Sequence, residues 1–244
     1  MIVFENKDAS DVVGARDAPT FNAMARRYAQ LTQYQGVSHP SLPNYLALVS
    51  GSTQGIRTDC TGCIVAARNL ADTVEAAGRT WKAYAEGLPS AGWTGAYGSG
   101  YAKKHMPFLY FRDIVSSPAR RRRVVPLPQL RTDLAAGKLP DFALLVPNQC
   151  NSMHDCSVAT GDRWLAKTLP PLLRLPGTVV FVTFDEGEAG NHVPALALGT
   201  AVQPSTRVTA RTGHYALLRT IESAWGLPLL GHSASARPIT GIWR

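Results

Sequence analysis

The sequence predicts an α/β fold with a central, mainly parallel sheet flanked by helices and a small cap region, on two observations. Apolar, β-rich runs alternate along the chain with segments of helical period, the pattern that builds a parallel sheet. Two of those runs, residues 142–146 and 179–184, are continuous rather than alternating, as expected of strands covered on both faces.

The elements follow in order. Residues 1–4 read as a first strand, short because the chain begins there. Residues 18–29 read as a helix with Phe21, Met24, Ala25 and Tyr28 on one face. A short helix is expected over 43–50, and another over 70–77 ending at Gly78. Residues 81–84 are a weak strand candidate, and 193–198 is a further apolar strand. Helices are expected over 163–173 and 214–225. Residues 87–123, rich in Gly, Pro and Arg, read as a cap inserted over one face of the sheet. No repeat or long linker divides the chain, so 1–244 reads as one domain.

Composition narrows the function. Charged residues make up 17% of the 244, and Lys plus Arg exceeds Asp plus Glu by 25 − 17 = +8. Low charge with 45% hydrophobic residues excludes a disordered chain. No apolar run approaches the roughly 20 residues of a membrane span. The positive balance suits anionic partners. Part of it is the run Arg120–Arg123, read as a solvated loop, with a funnel for a phosphorylated substrate as the sharper alternative. The residues after it, Val124, Val125 and Pro126, lack the interleaved aromatics of a nucleic-acid surface. Trp93, Tyr97, Tyr101, Phe108 and Tyr110 are expected to pack the cap, with stacking on a base or lipid contact as the alternative. The four cysteines form two local pairs, Cys60/Cys63 and Cys150/Cys156. Their spacing does not make a zinc ribbon; two small disulfide loops are expected, with free buried thiols as the alternative, and such loops imply an oxidising compartment. A secreted or periplasmic protein is expected, its leader absent from this chain.

Ligands of open α/β sheets bind outside the carboxyl ends of the strands. Three strand ends carry polar clusters: Glu5 and Asn6; Asn148 with His154 and Asp155; and Asp185 with Glu186. Acids and amides gathered there suit a hard divalent cation. Ser41 lies two residues before Pro43, at a predicted helix start. It reads either as a helix N-cap or as a nucleophile beside backbone N–H groups and the positive end of the helix dipole. Of six histidines, His154 and His214 are best placed for general acid work, and His105 could reach a pocket from the cap.

Six motifs stand in one order: Glu5-Asn6-Lys7; His39-Pro40-Ser41-Leu42-Pro43-Asn44-Tyr45; Lys104-His105-Met106-Pro107-Phe108; Pro147-Asn148-Gln149-Cys150-Asn151-Ser152-Met153-His154-Asp155-Cys156; Thr183-Phe184-Asp185-Glu186-Gly187; and His214-Tyr215-Ala216-Leu217 onward. The series resembles the bacterial phosphoesterase family of acid phosphatases and phospholipase C enzymes, within the alkaline phosphatase superfamily. The resemblance implies a three-layer alkaline-phosphatase-like fold. It implies a divalent cation, one ion favoured, on Glu5, Asn6, Asp185 and Glu186 with the Ser41 oxygen. It makes Ser41 the nucleophile of a phosphoserine route to phosphate monoesters, phosphoinositides among them. Asn44, His105, Asn148 and Asp155 would bind the phosphate, and His154 or His214 would protonate the leaving oxygen. Such a histidine acid leans the optimum to acid pH, since imidazole titrates near 6.5. The alternatives are a phospholipase C-type phosphodiesterase and a non-catalytic anion-binding domain.

Overall fold

In a computed structural model describing residues 1–244, the chain forms two compact units. The first comprises Met1–Val37, Gln149–Gly213 and Ile239–Arg244; the second comprises Ser38–Asn148 and His214–Pro238. In chain order the first unit begins with β1 (Ile2–Phe4), α1 (Ala9–Val12), α2 (Pro19–Arg27), β2 (Ala29–Leu31) and β3 (Tyr34–Gln35). The second unit then supplies α3 (Ser41–Ser50), α4 (Leu70–Ala76), β4 (Trp81–Ala85), β5 (Tyr97–Gly98) and β6 (Tyr101–Ala102). It continues with α5 (Arg112–Val115), α6 (Pro118–Arg121), β7 (Val124–Pro126), α7 (Gln129–Ala135) and β8 (Phe142–Val146). The chain returns to the first unit for α8 (Val158–Leu173), β9 (Val179–Phe184), β10 (Ala195–Gly199), β11 (Thr206–Val208) and β12 (Thr212–Gly213), before α9 (His214–Trp225). No helix is long and apolar enough to cross a membrane.

In the first unit the strands run in the order β11-β2-β10-β9-β1. β1 lies parallel to β9, with Phe4 opposite Phe184, and β11 lies parallel to β2. β10 is antiparallel to both its neighbours, which adds a mixed element to a sheet whose other pairings are parallel, in keeping with the mainly parallel sheet expected. An aromatic cluster fills the space beneath: Phe4 packs against Phe21, Trp164 and Phe184 at centroid distances of 5.3, 5.7 and 5.3 Å. Each such ring stabilises the fold by about 1.5–3 kcal/mol through its buried area. α2 has no capping side chain at Ala18, so its first N–H groups need another acceptor. Asp162 of α8 supplies it, accepting from Thr20 at 3.1 Å and Phe21 at 2.9 Å. The expected 18–29 helix stops at Arg27, because Tyr28 turns extended and Ala29 pairs with Ala197 and Thr206 as strand. α8 starts five residues before its expected position and runs on through Pro170 and Pro171.

In the second unit β4 lies between β8 and β7, parallel to both. Trp81 and Phe142 pack on Phe108 from the expected cap, at 4.6 and 6.4 Å. Met106, Phe108, Leu109, Tyr110, Phe111 and Ile114 are all fully buried, so residues 87–123 contribute core to this unit as well as surface. Of the cap aromatics, only Tyr97 is exposed. α3 is buried on every side, which its apolar composition permits. It ends at Gly51, whose φ of 67° is left-handed and whose missing Cβ would stand 1.8 Å from the Leu230 carbonyl oxygen. The arginine run is not simply solvated. Arg120 pairs with Asp72 and Glu75 of α4 at 2.5 and 3.1 Å, and with Asp113; Arg123 pairs with Glu75 at 3.1 Å. Both expected disulfides form, Cys60–Cys63 in the second unit and Cys150–Cys156 in the first.

Candidate active site

The acidic residues of the first unit owe their arrangement to strand register. β1 and β9 end together, and the Asp185 N–H continues the ladder by donating to the Phe4 carbonyl at 3.0 Å. Glu5 and Asp185 therefore leave adjacent parallel strands at the same end. Both are fully buried, and Glu186 is buried beside them. Asn6 adopts a φ of 45°, which asparagine tolerates better than most residues, and its N–H donates to Asp185 Oδ1 at 3.3 Å. Buried carboxylates are costly unless their charge is compensated. Asn6 Oδ1 is buried and accepts no hydrogen bond. No three His, Cys, Asp or Glu groups form a ready-made metal cluster. The fit to a hard cation rests instead on that buried amide oxygen and on an all-oxygen donor set at the strand ends.

The loop after Glu186 is braced from two sides. Asn191 Oδ1 accepts the Gly187 N–H at 3.0 Å, and Asp8 Oδ2 accepts the Ala189 N–H at 3.0 Å. The Cys150–Cys156 loop carries His154 and Asp155. His154 Nδ1 lies 2.7 Å from Asp155 Oδ1, with the histidine side chain 25% exposed. The carboxylate holds the orientation of the imidazole ring. The Asp155 N–H bonds back to the Gln149 carbonyl at 2.9 Å, and the Glu5 N–H donates to Ser152 at 2.9 Å, tying this loop to β1.

The serine region of the second unit is held differently. Ser41 is the first residue of α3 and Pro40 is its N-cap, so the helix begins two residues earlier than expected and the capping explanation for the serine falls away. Ser41 is fully buried. Asn44 braces the turn before it: Oδ1 accepts the Ser38 N–H at 2.9 Å, and Nδ2 donates to the Ser38 and Pro40 carbonyls at 2.8 and 3.2 Å. The Leu42 N–H donates to Asp59 Oδ1 at 2.9 Å, while Asp59 Oδ2 accepts from Lys104 Nζ at 2.8 Å. A negative group at a helix N-terminus is favourable, and here it links α3 to the turn bearing His105. Lys103 reinforces the link by donating to the Thr61 carbonyl inside the Cys60–Cys63 loop at 2.7 Å; burial lowers its pKa. His105 stacks on Tyr45 of α3 at 5.3 Å. His214 is fully buried as the first residue of α9, a helix that packs on α3. The Asn148 N–H donates to Glu86 Oε2 at 3.0 Å.

The structure thus groups Glu5, Asn6, Asp185, Glu186, His154 and Asp155 in the first unit and Ser41, Asn44, His105, Asn148 and His214 in the second. His192 and His232 take no part: the first reaches the Thr32 carbonyl at 2.9 Å and the second lies on Tyr215. Asp59 and Asn191 carry no spacing signature of their own, and Lys104 entered the sequence reading only within the Lys104–Phe108 motif, with no role assigned to it.

The profile of the Phosphoesterase family matches residues 11–228. The chain is 34% identical, over 100% of its own length and 81% of the relative's, to a phosphatidylinositol-3-phosphatase of Mycobacterium tuberculosis. It is 31% identical to an acid phosphatase of Aspergillus fumigatus over 82% of this chain, which spans about half of that protein (49%). Among solved structures it is similar to a protein of the alkaline phosphatase superfamily from Vibrio parahaemolyticus. The TM-score is 0.66 at 14% identity, over 98% of this chain and 69% of that one. The fold is that of this superfamily.

Proposed function

The chain belongs to the Phosphoesterase family and is a phosphoric ester hydrolase, and on that premise we propose that it hydrolyses phosphate monoesters through a phosphoserine on Ser41. The observation that carries the assignment is the place of Ser41: a fully buried residue at the first position of α3, where it is not the cap. The Ser41 hydroxyl gives up its proton to solvent water as its oxygen bonds to phosphorus, and the bond to the ester oxygen breaks. The leaving oxygen takes a proton from His154 or His214, and water then releases phosphate and restores the serine. His105, Asn148 and Asp155 are assigned to the phosphate, and Asn44 holds the turn that presents Ser41. Glu5, Asn6, Asp185 and Glu186 would hold one divalent cation with the Ser41 oxygen. When bound, that ion supplies Lewis-acid charge that lowers the hydroxyl pKa and offsets charge on the phosphate.

Monoesters are favoured over diesters because the relative from Aspergillus fumigatus is named an acid phosphatase. The name of the Mycobacterium tuberculosis relative extends the substrate class to phosphoinositides. The two disulfides support a working compartment outside the reducing cytosol, the reading of a secreted or periplasmic enzyme. The test is turnover of a chromogenic monoester and a matching diester across acid to neutral pH, before and after chelation, with Ser41→Ala beside the wild type. Monoester turnover that needs a cation and falls by about 10³-fold or more in Ser41→Ala, with melting unchanged, is expected. Retained activity in that variant contradicts the nucleophile assignment, and diester turnover alone turns the reading to the phospholipase-like alternative.

A further inference from the structure

We propose that the first unit carries an accessory site for a phosphate group, formed by Arg26 of α2 and Arg207 of β11, which no part of the reaction above uses. The two arginines line one cavity of about 330 Å³ together with Val13, Asn22, Ala25 and Gln30, and no acidic side chain lines it.

The placement follows from register. β11 and β2 are parallel with Arg207 opposite Gln30, so both side chains leave the same face of the sheet. α2 packs on β2 and brings Asn22, Ala25 and Arg26 to that face at the i, i+3, i+4 spacing of one helical side. The two elements are tied together beside the cavity. Ser205 Oγ donates to the Arg26 carbonyl at 3.0 Å, the Ser205 N–H to Arg27 at 3.2 Å, and the Thr206 N–H to Tyr28 at 3.1 Å. Arg207 is thereby set in a fixed relation to Arg26.

Cations in the last turn of a helix are expected from the dipole, and Arg26 and Arg27 both stand there, Arg27 lying over the Tyr28 ring at 5.3 Å. The dipole does not account for Arg207, which stands on a strand. Neither Arg26 nor Arg207 has an ion-pair partner, in contrast with Arg120 and Arg123, which are drawn into pairs with acids. The Asn22 amide is already engaged, accepting from the Gly14 N–H and donating to the Ala15 carbonyl. It therefore shapes the wall, and the guanidinium groups and Gln30 are left to bind. Two forked donor groups, with the Gln30 amide beside Arg207, match the oxygens of a phosphate or a phosphate ester. The ligand is defined by that group, whether free in solution or on a lipid headgroup.

Arginine labelling by phenylglyoxal, read peptide by peptide by mass spectrometry on the whole protein, tests the site without recourse to turnover. Inorganic phosphate at twice its Kd slows labelling of Arg26 and Arg207 about threefold, since protection follows 1 + [L]/Kd. Arg237, exposed elsewhere, labels at an unchanged rate. Chloride at matched ionic strength gives no protection. In Arg207→Ala the protection of Arg26 is lost, because the two residues share one ligand. Vesicles of phosphatidylcholine with phosphatidylglycerol are compared with phosphatidylcholine alone. Protection by phosphate assigns a soluble phosphate ester, protection by the anionic vesicles alone assigns a lipid headgroup, and either result supports the site. Equal labelling of Arg26, Arg207 and Arg237 under every condition overturns it, as does Arg26 protection that survives in Arg207→Ala.

Discussion

The strand-end acids and the serine helix are held by opposite means. Glu5 and Asp185 are placed by backbone register: a parallel ladder with Phe4 opposite Phe184 delivers both residues to the same end of the sheet. Ser41 is placed by side chains. Asn44 folds the turn before it, and Asp59 reaches in from a disulfide-bordered loop to hold the first turn of α3 and Lys104 at once. A site built on register tolerates changes around it but not in its own donors. A site built on remote side chains can be weakened from a distance, which separates the effects expected of mutation.

The largest effect after loss of Ser41 itself is expected at the register-built acids. Asp185→Asn removes an anionic donor and leaves the strand pairing intact. Activity at fixed cation concentration is expected to fall by at least about 100-fold, with partial recovery as cation is added. A cation titration of monoester turnover checks this, and an unchanged cation requirement would break the comparison on the acid side.

Asp59→Ala strikes the other arrangement. It strips the acceptor from the Leu42 N–H and the counter-charge from Lys104, and a charge-assisted hydrogen bond of this kind contributes about 1.5–3 kcal/mol. Denaturant unfolding is expected to show a loss of that order, together with a lower kcat and a nearly constant KM. Asp59→Asn keeps an acceptor for Leu42 and loses less of both. Full kcat in Asp59→Ala would show that Ser41 does not depend on the clamp.

The smallest effect lies away from both regions and is one of pH. Burial holds the Glu222 carboxyl above its ordinary range, although the Ser233 hydroxyl, the Leu230 N–H and Arg219 act the other way. A raised folded pKa means that the folded state keeps its proton longer than the unfolded chain. The stability from this group is complete below the unfolded pKa and is lost as pH rises through the folded value. Thermal melts are expected to show wild type losing ground against Glu222→Gln as pH rises from the ordinary carboxylate range through the raised folded value. A constant difference across that range would contradict the burial argument.

Much of this was legible in the sequence, and the contrast explains what was not. Strands 142–146 and 179–184 and helix 214–225 were readable to the residue, because continuous apolar runs and a clean helical period mark them. The acids that follow β1 and β9 were readable for the same reason, since a strand end locates whatever comes next. The short strands Ala29–Leu31 and Val124–Pro126 were not, one hidden in the tail of a helical pattern and the other behind an arginine run. The start of α3 was placed two residues late because its capping carboxylate, Asp59, comes from a distant loop. That contact exists only in the folded chain, and so does the pairing of Arg120 with Asp72, Glu75 and Asp113.

The phosphoserine proposed on Ser41 dictates the stereochemical course at phosphorus. A monoester made chiral at phosphorus with oxygen isotopes is turned over, with phosphoryl transfer to an acceptor alcohol, and the product configuration is read. Two in-line displacements, first by Ser41 and then by the acceptor, each invert the centre, so net retention is expected. Net inversion would mean a single direct displacement and would contradict the nucleophile assigned to Ser41.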